Sequence, residues 1–375
     1  MTPATLVIGA IQDALPAAEI LAPDWMAHLW FILLCLLLTG YAVLDGFDLG
    51  VGIIHFMIGR NRRERTVHTN VIGPIWDGNE VWLVTFGGGL FAAFPLAYGS
   101  IFSAFMVPLV IVLFCLITRA TCLEFRSKAD NRWIVLACDV LFSLASIVAT
   151  LVLGVATGAV MEGIPIDQAG NLVLAGPADA APGLLAEITF ALTPFTVSCG
   201  VLALTLFALH GAMFLNLKAT GITERRIRRS FPLMYVAFLI SFLVATLLAF
   251  RDVDAVTGLT PLGIVTTILN VLAILNLAWA MRDRSKWRCF LASTVMVSAM
   301  IVLFGSTIHP NLLVSTLDPA WNITILDAVS TRATLLTMFV VVVVGIPFVL
   351  LYTAMTYWTF RGTVSAEDLS EDRAG

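Results

Sequence analysis

"IGPIWDGNEVWLVTFGGGLFAAFP", residues 72–95, joins two chemistries end to end. The second half is an apolar, small-residue run of the kind a lipid bilayer accepts. The first half packs Trp76, Asp77, Asn79, Glu80 and Trp82 into seven residues. Pro74 is a good first-turn residue for a helix. The stretch therefore predicts a membrane helix whose mouth carries two carboxylates, an amide and two indoles.

The rest of the chain has the composition that such a helix requires. Its 375 residues are 59% hydrophobic and only 12% charged, whereas an ordinary soluble domain carries about 25% charged residues. A mean hydropathy of +0.95 over the whole length describes a polytopic membrane protein rather than one buried core. The net charge of −4, without a basic stripe, excludes a nucleic-acid surface as the organising feature. Cys35, Cys115, Cys122, Cys138, Cys199 and Cys289 form no C-x-x-C pair and read as small buried hydrophobes. No Lys or Arg precedes Arg60, so the start lacks the basic region of a signal peptide and the first apolar run reads as a retained span.

Apolar runs long enough to cross a bilayer number nine: about 25–57, 73–97, 100–121, 132–160, 187–217, 231–250, 261–281, 288–308 and 332–359. The expected division is an extracytoplasmic segment 1–24, a nine-helix membrane domain 25–359 and a cytoplasmic tail 360–375. Nineteen of the 21 basic residues fall in the loops and tail of one side, leaving Arg251 and Arg332 for the other. The positive-inside rule makes the basic side cytoplasmic, with the N-terminus outside and the C-terminus inside. The outer segments 161–186 and 309–331 are longer, and the second holds a "WNITILDAVSTRA" stretch suited to the interface.

Acids at membrane depth are costly and therefore informative. Asp45 and Asp48 share a helical face. Asp48 lies 12 residues before Arg60, about 18 Å of helix. The pair reads either as carboxyls hidden by Gly-rich packing or as a polar, proton-conducting path. Asp77 and Glu80 repeat the three-residue spacing. They read as first-turn acids favoured by the helix dipole or as part of the same path, with Trp76 and Trp82 as interface anchors in the first case. Arg119 is the natural counter-charge, or else a snorkelling end-of-helix residue. Asp139, Glu187, Asn216, Asn270 and Asn276 are given no role beyond helix packing. Of His28, His55, His68, His210 and His309, only His210 lies firmly within a span, and a lone buried His is expected to be packed and hydrogen-bonded. These readings leave the chain without a redox centre of its own. A proton-coupled transporter or channel is the rival from another class, but no internal repeat is visible. A purely structural subunit with inert acids is the third reading.

Four stretches together carry a resemblance: "GYAVLDGFDLGVG" at 40–52, the 72–95 box, "LEFRSK" at 123–128 and "VLLYTAMTYWTFRG" at 349–362. They resemble subunit II of cytochrome bd-type quinol oxidases, from about residue 38 to the tail and most densely over 40–128. The resemblance implies an all-α membrane protein of nine helices, as two four-helix bundles plus one peripheral helix. It implies a bacterial cytoplasmic (inner) membrane enzyme that oxidises quinol, reduces oxygen to water and builds a proton gradient. The partner is a similarly folded subunit I, which would hold haems b and d, while this chain would supply no haem or metal ligand. Small accessory subunits, membrane lipid and a bound quinone are compatible with it. By position, Asp48 and Asp77 match acids of a cytoplasmic proton path, Arg119 matches a basic residue near it, and Asp45 and Glu80 lie alongside. Trp82 matches a residue of a hydrophobic oxygen route, with Trp76 and Asn79 in the same box.

Overall fold

The computed structural model describes residues 22–174, 184–253 and 260–365. Most of the expected N-terminal segment, part of the 161–186 loop and residues 366–375 of the tail lie outside the described residues. The chain is α-helical: α1 Asp24–Ile53, α2 His55–Ile58, α3 Arg62–Ile72, α4 Trp76–Ala93, α5 Pro95–Ala104, α6 Met106–Arg126, α7 Arg132–Glu162, α8 Leu184–Thr189, α9 Pro194–Lys218, α10 Gly221–Asp252, α11 Pro261–Arg282 and α12 Lys286–Ile308. A two-stranded antiparallel ribbon, β1 Asn311–Leu313 with β2 Ile323–Thr324, precedes α13 Ile325–Ala328 and the last helix, α14 Arg332–Thr359.

Among the described residues, eight helices are long and apolar enough to cross a membrane by themselves: α1, α6, α7, α9, α10, α11, α12 and α14. α4 has the length but opens with Trp-Asp-Gly-Asn-Glu, which lowers its apolar average. The stretches expected as spans 73–97 and 100–121 fold as three helices, α4, α5 and α6. Proline explains both breaks. Pro95 opens α5 directly after Phe94, and Pro108 lacks the N–H that would bond back to Ala104. Pro194 likewise separates α8 from α9 within the expected span 187–217. α3 was not expected, being too short and too charged to cross a bilayer. Its start is capped by the Asn61 side chain, which accepts from the Glu64 N–H at 2.9 Å.

In chain order the helices form two groups, α1, α4, α6 and α7, then α9, α10, α11 and α12, and the most extensive packing in the molecule runs between the groups, α7 on α9. α1 and α9 join the groups backbone to backbone. A Cβ on Gly50 would fall on the Phe207 carbonyl oxygen, and one on Gly211 would sit 2.5 Å from the Gly50 carbonyl carbon. Only glycine permits this approach. α14 stands outside both groups: Leu335 is its one buried residue, and its main contact is with α4.

Candidate functional site

α1 supplies Asp45 and Asp48, both fully buried. From α6 the buried Arg119 guanidinium closes on Asp45 as a fork. Its Nη1 donates to Asp45 Oδ2 at 3.0 Å and its Nη2 donates to Oδ1. The same Nη1 lies 3.4 Å from Glu80 Oε1, which α4 brings to the opposite side. One turn along α1, Asp48 Oδ2 accepts from Asn79 Nδ2 at 2.7 Å. The Asn79 carbonyl oxygen accepts from the Tyr357 hydroxyl of α14 at 3.0 Å. Four helices thus converge on one polar layer. Three carboxylates face one cation there, so the site can take up a proton and approach neutrality. Asp48 Oδ1 and Arg119 Nε are buried with no hydrogen-bond partner among the described residues.

The sequence singled out Asp45, Asp48, Glu80 and Arg119, and the fold brings them together. It does not bring Asp77 with them. Arg119, the expected counter-charge of the path, is closed on Asp45 and Glu80. Asp77 is exposed on α4 and makes no hydrogen bond or ion pair among the described residues. Asn79 proves to be the central connector, and its partner Tyr357 was not anticipated, because 278 positions separate them. Trp82 lies across Gly40, with its ring where a Cβ would stand. With Leu37, Val81, Thr85, Ile346 and Val349 it lines a small cleft among α1, α4 and α14. Trp76 is half-buried against the apolar core. Further along α4, Gly87 and Gly88 have no atom within 4 Å of the position a Cβ would take.

A second polar cluster lies toward the end of the fold where the basic loops gather. Asp139 of α7, fully buried, accepts from His55 Nε2 at 2.9 Å, from Arg65 Nε at 2.7 Å and from Arg126 Nε. His55 Nδ1 is 3.4 Å from His68 Nδ1. Arg126 also donates to Thr66 Oγ1 at 3.1 Å and to Thr69 Oγ1 at 3.3 Å. Burial, with the neighbouring His55 ring and the charges of Arg126 and Arg65, holds the His68 imidazole well below the ordinary histidine value. Asp139 and the His pair were passed over because each residue, alone in its element, looks like packing.

His210 is unsuited to haem. Its Nδ1 is engaged by Ser293 Oγ at 2.8 Å and its Nε2 by the Val43 carbonyl at 3.0 Å, and its ring stacks on Phe290. Neither ring nitrogen is left for an iron. Among the described residues, no group of three His, Cys, Asp or Glu is placed to hold a metal ion.

Comparison with known proteins places this arrangement in context. A sequence profile of the family described as "Cytochrome bd terminal oxidase subunit II" matches residues 26–360. The chain is 30% identical to "Cytochrome bd-I ubiquinol oxidase subunit 2" of Escherichia coli (strain K12), over 92% of this chain and 97% of that one. It is 31% identical to "Cytochrome bd ubiquinol oxidase subunit 2" of Bacillus subtilis (strain 168), over 91% and 97%. A chain of the bd oxidase structure from Geobacillus thermodenitrificans superposes with a TM-score of 0.69, at 18% identity, over 89% of this chain and 99% of that one. This last likeness concerns the fold alone.

Proposed function

The chain belongs to the cytochrome bd terminal oxidase subunit II family, and on that premise we propose that it carries protons and admits oxygen to the reducing centre of the complex. It is an integral membrane component of a respiratory quinol oxidase. In this reading protons enter from the basic side, which is the cytoplasm, so that the N-terminus lies outside and the C-terminus inside. Asp48 is the carrier. Asn79 holds one of its oxygens by donating to it, and Tyr357 fixes the amide by donating to its carbonyl oxygen. Asp48 Oδ1 stays free to take and release a proton. Arg119 pins Asp45 and, through Glu80, ties α4 to the same layer. Asp77 lies on the exposed side of α4, where it can take protons from solvent or pass them to a partner surface.

The oxygen route runs along α4. Trp82 covers Gly40, and Gly87 and Gly88 keep the surface beyond it low. Trp76 packs at its polar start. Haems b and d belong to subunit I, where they supply electron transfer and oxygen reduction. This chain's residues hold and move the protons that the reduction consumes. A quinone, small accessory subunits and lipid complete the assembly.

The buried Asp48–Asn79–Tyr357 chain beside the Arg119–Asp45 pair is the observation that carries this reading. The test is Asp48→Asn in the purified complex. Haem absorption should be retained while quinol-driven turnover falls by about tenfold or more. Full turnover in this variant would remove Asp48 from the path.

A further inference from the structure

α2 continues α1 past one non-helical residue, Ile54, whose N–H still reaches the Gly50 carbonyl at 3.1 Å. Asp48, Gly52 and His55, spaced by four and three, therefore lie along one face. α7 runs antiparallel beside it. Asp139 bonds His55, and Phe142 packs edge-on against the His55 ring with centroids 5.3 Å apart. One turn further, Ser146 stands where a Gly52 Cβ would be. Stepping from Ser146 to Thr150 moves along the seam in the same direction as stepping from Gly52 to Asp48. Ser146 and Thr150 are fully buried, and each hydroxyl donates to the backbone of its own helix, leaving its oxygen as an acceptor. Ser146 and Thr150 thus set two buried hydroxyls on α7 beside the α1 face that runs from His55 through Gly52 to Asp48.

The bonding also orders the imidazoles. Asp139, accepting from Arg65 and Arg126, takes the Nε2–H of His55. His55 Nδ1 is then an acceptor, so the proton between the two rings belongs to His68 Nδ1. That leaves His68 Nε2 with a bare lone pair, buried and with no partner among the described residues. His68 Nε2 and Asp48 Oδ1 are both buried and both unpaired among the described residues.

We propose that His68 and His55 form the entry relay to Asp48, passing protons from the basic face along the Gly52–Ser146–Thr150 seam. This rests on the reading of Asp48 as a proton carrier. A proton binds His68 Nε2 as His68 gives its Nδ1 proton to His55 Nδ1. His55 then releases its Nε2 proton toward Asp139 and the seam, where water completes the chain. The pair returns to neutrality with its tautomers inverted, and each ring regains its starting tautomer by exchanging its own proton with water, with no proton passed back between the rings. The charged and titratable groups facing His68 are His55 from α2, Arg65 from α3, Arg126 from α6 and Asp139 from α7. Burial, with the His55 ring and the two arginines beside it, keeps His68 neutral at rest, so a proton is passed on and not retained.

The experiment uses the whole purified complex, comparing the parent chain with Asp48→Asn, His68→Gln and Ser146→Val. Haem absorption checks assembly; quinol-driven turnover and dye-detected proton uptake are followed from neutral to alkaline pH. His68→Gln keeps a donor toward His55 but loses the second nitrogen that binds a proton. With haem absorption intact, His68→Gln and Ser146→Val should each slow turnover by about tenfold, with the defect in proton uptake and deepening as pH rises. If Asp48→Asn is slow while His68→Gln and Ser146→Val turn over normally, the entry relay is wrong and the role of Asp48 stands. If Asp48→Asn is itself normal, both fall. Should His68→Gln fail to assemble, Ser146→Val decides, since normal uptake in that variant overturns the route.

Discussion

Arg119 is the residue on which the buried layer depends. It is fully buried between Asp45 and Glu80. Removing one partner of a buried ion pair strands the other charge, at a cost of about 3–5 kcal/mol. Arg119→Leu should therefore lower the thermal midpoint of the purified complex or prevent its assembly. Arg119→Lys should recover only part of the loss, because an ammonium cannot reproduce the two-pronged bond to Asp45. Equal stability of the leucine variant would mean that the pair holds nothing together. Tyr357→Phe removes a single neutral hydrogen bond to Asn79, about 1 kcal/mol. It should slow turnover less than Asp48→Asn does, measured side by side in the same assay. Asp45, Asp48, Glu80 and Arg119 were legible in the sequence because charge inside an apolar run is conspicuous. Asn79 and Tyr357 were not, since an amide at a helix mouth and a tyrosine near a helix end are ordinary until they meet.

At the level of elements, the backbone contact of α1 with α9, together with that of α7 with α9, sets how closely the two helix groups approach. Gly50→Ala or Gly211→Ala drives a methyl into facing backbone, which cannot rotate away as a side chain can. Overpacking of this kind costs about 1–3 kcal/mol, and both variants should lose thermal stability while Gly345→Ala on α14, with no atom within 4 Å, should not. A second tie joins α1 to the end of α12, where His28 Nδ1 and His309 Nε2 are 3.2 Å apart. Burial and the neighbouring imidazole hold His309 below the ordinary histidine value. The unfolded chain then binds this proton more readily than the folded one. The stabilisation is complete above the ordinary histidine pKa and is lost as pH falls through it toward the lowered folded value. Thermal midpoints taken while acidifying from neutral pH should fall less steeply for His309→Gln than for the parent chain. The proline breaks at Phe94 and Phe105 could have been read from Pro95 and Pro108. They were hidden because hydropathy averages over a window and does not register a missing N–H.

For the whole molecule, the side of the membrane and the place of the haems each have a direct test. Single cysteines at residues 60–70 and 218–230 should label from the cytoplasm, whereas labelling of residues 165–174 from that side would invert the proposed topology. Expressed without its partner, the chain should show no specific haem absorption, since both ring nitrogens of His210 are engaged. A stoichiometric haem mapped to His210 would overturn this assignment. The amino-acid sequence by itself determined the membrane class, the segregation of basic residues and the family likeness of the 72–95 box. These are sums over neighbouring residues, and neighbours in sequence remain neighbours in the fold. The tertiary structure alone decided that Arg119 closes on Asp45 and Glu80 and leaves Asp77 exposed, that Asn79 meets Tyr357, and that His55, His68, Arg65 and Arg126 gather on Asp139. Such meetings depend on how each helix is rotated about its axis and slid against its neighbours. In helices apolar on nearly every face, packing between distant segments sets that rotation, and local pattern does not.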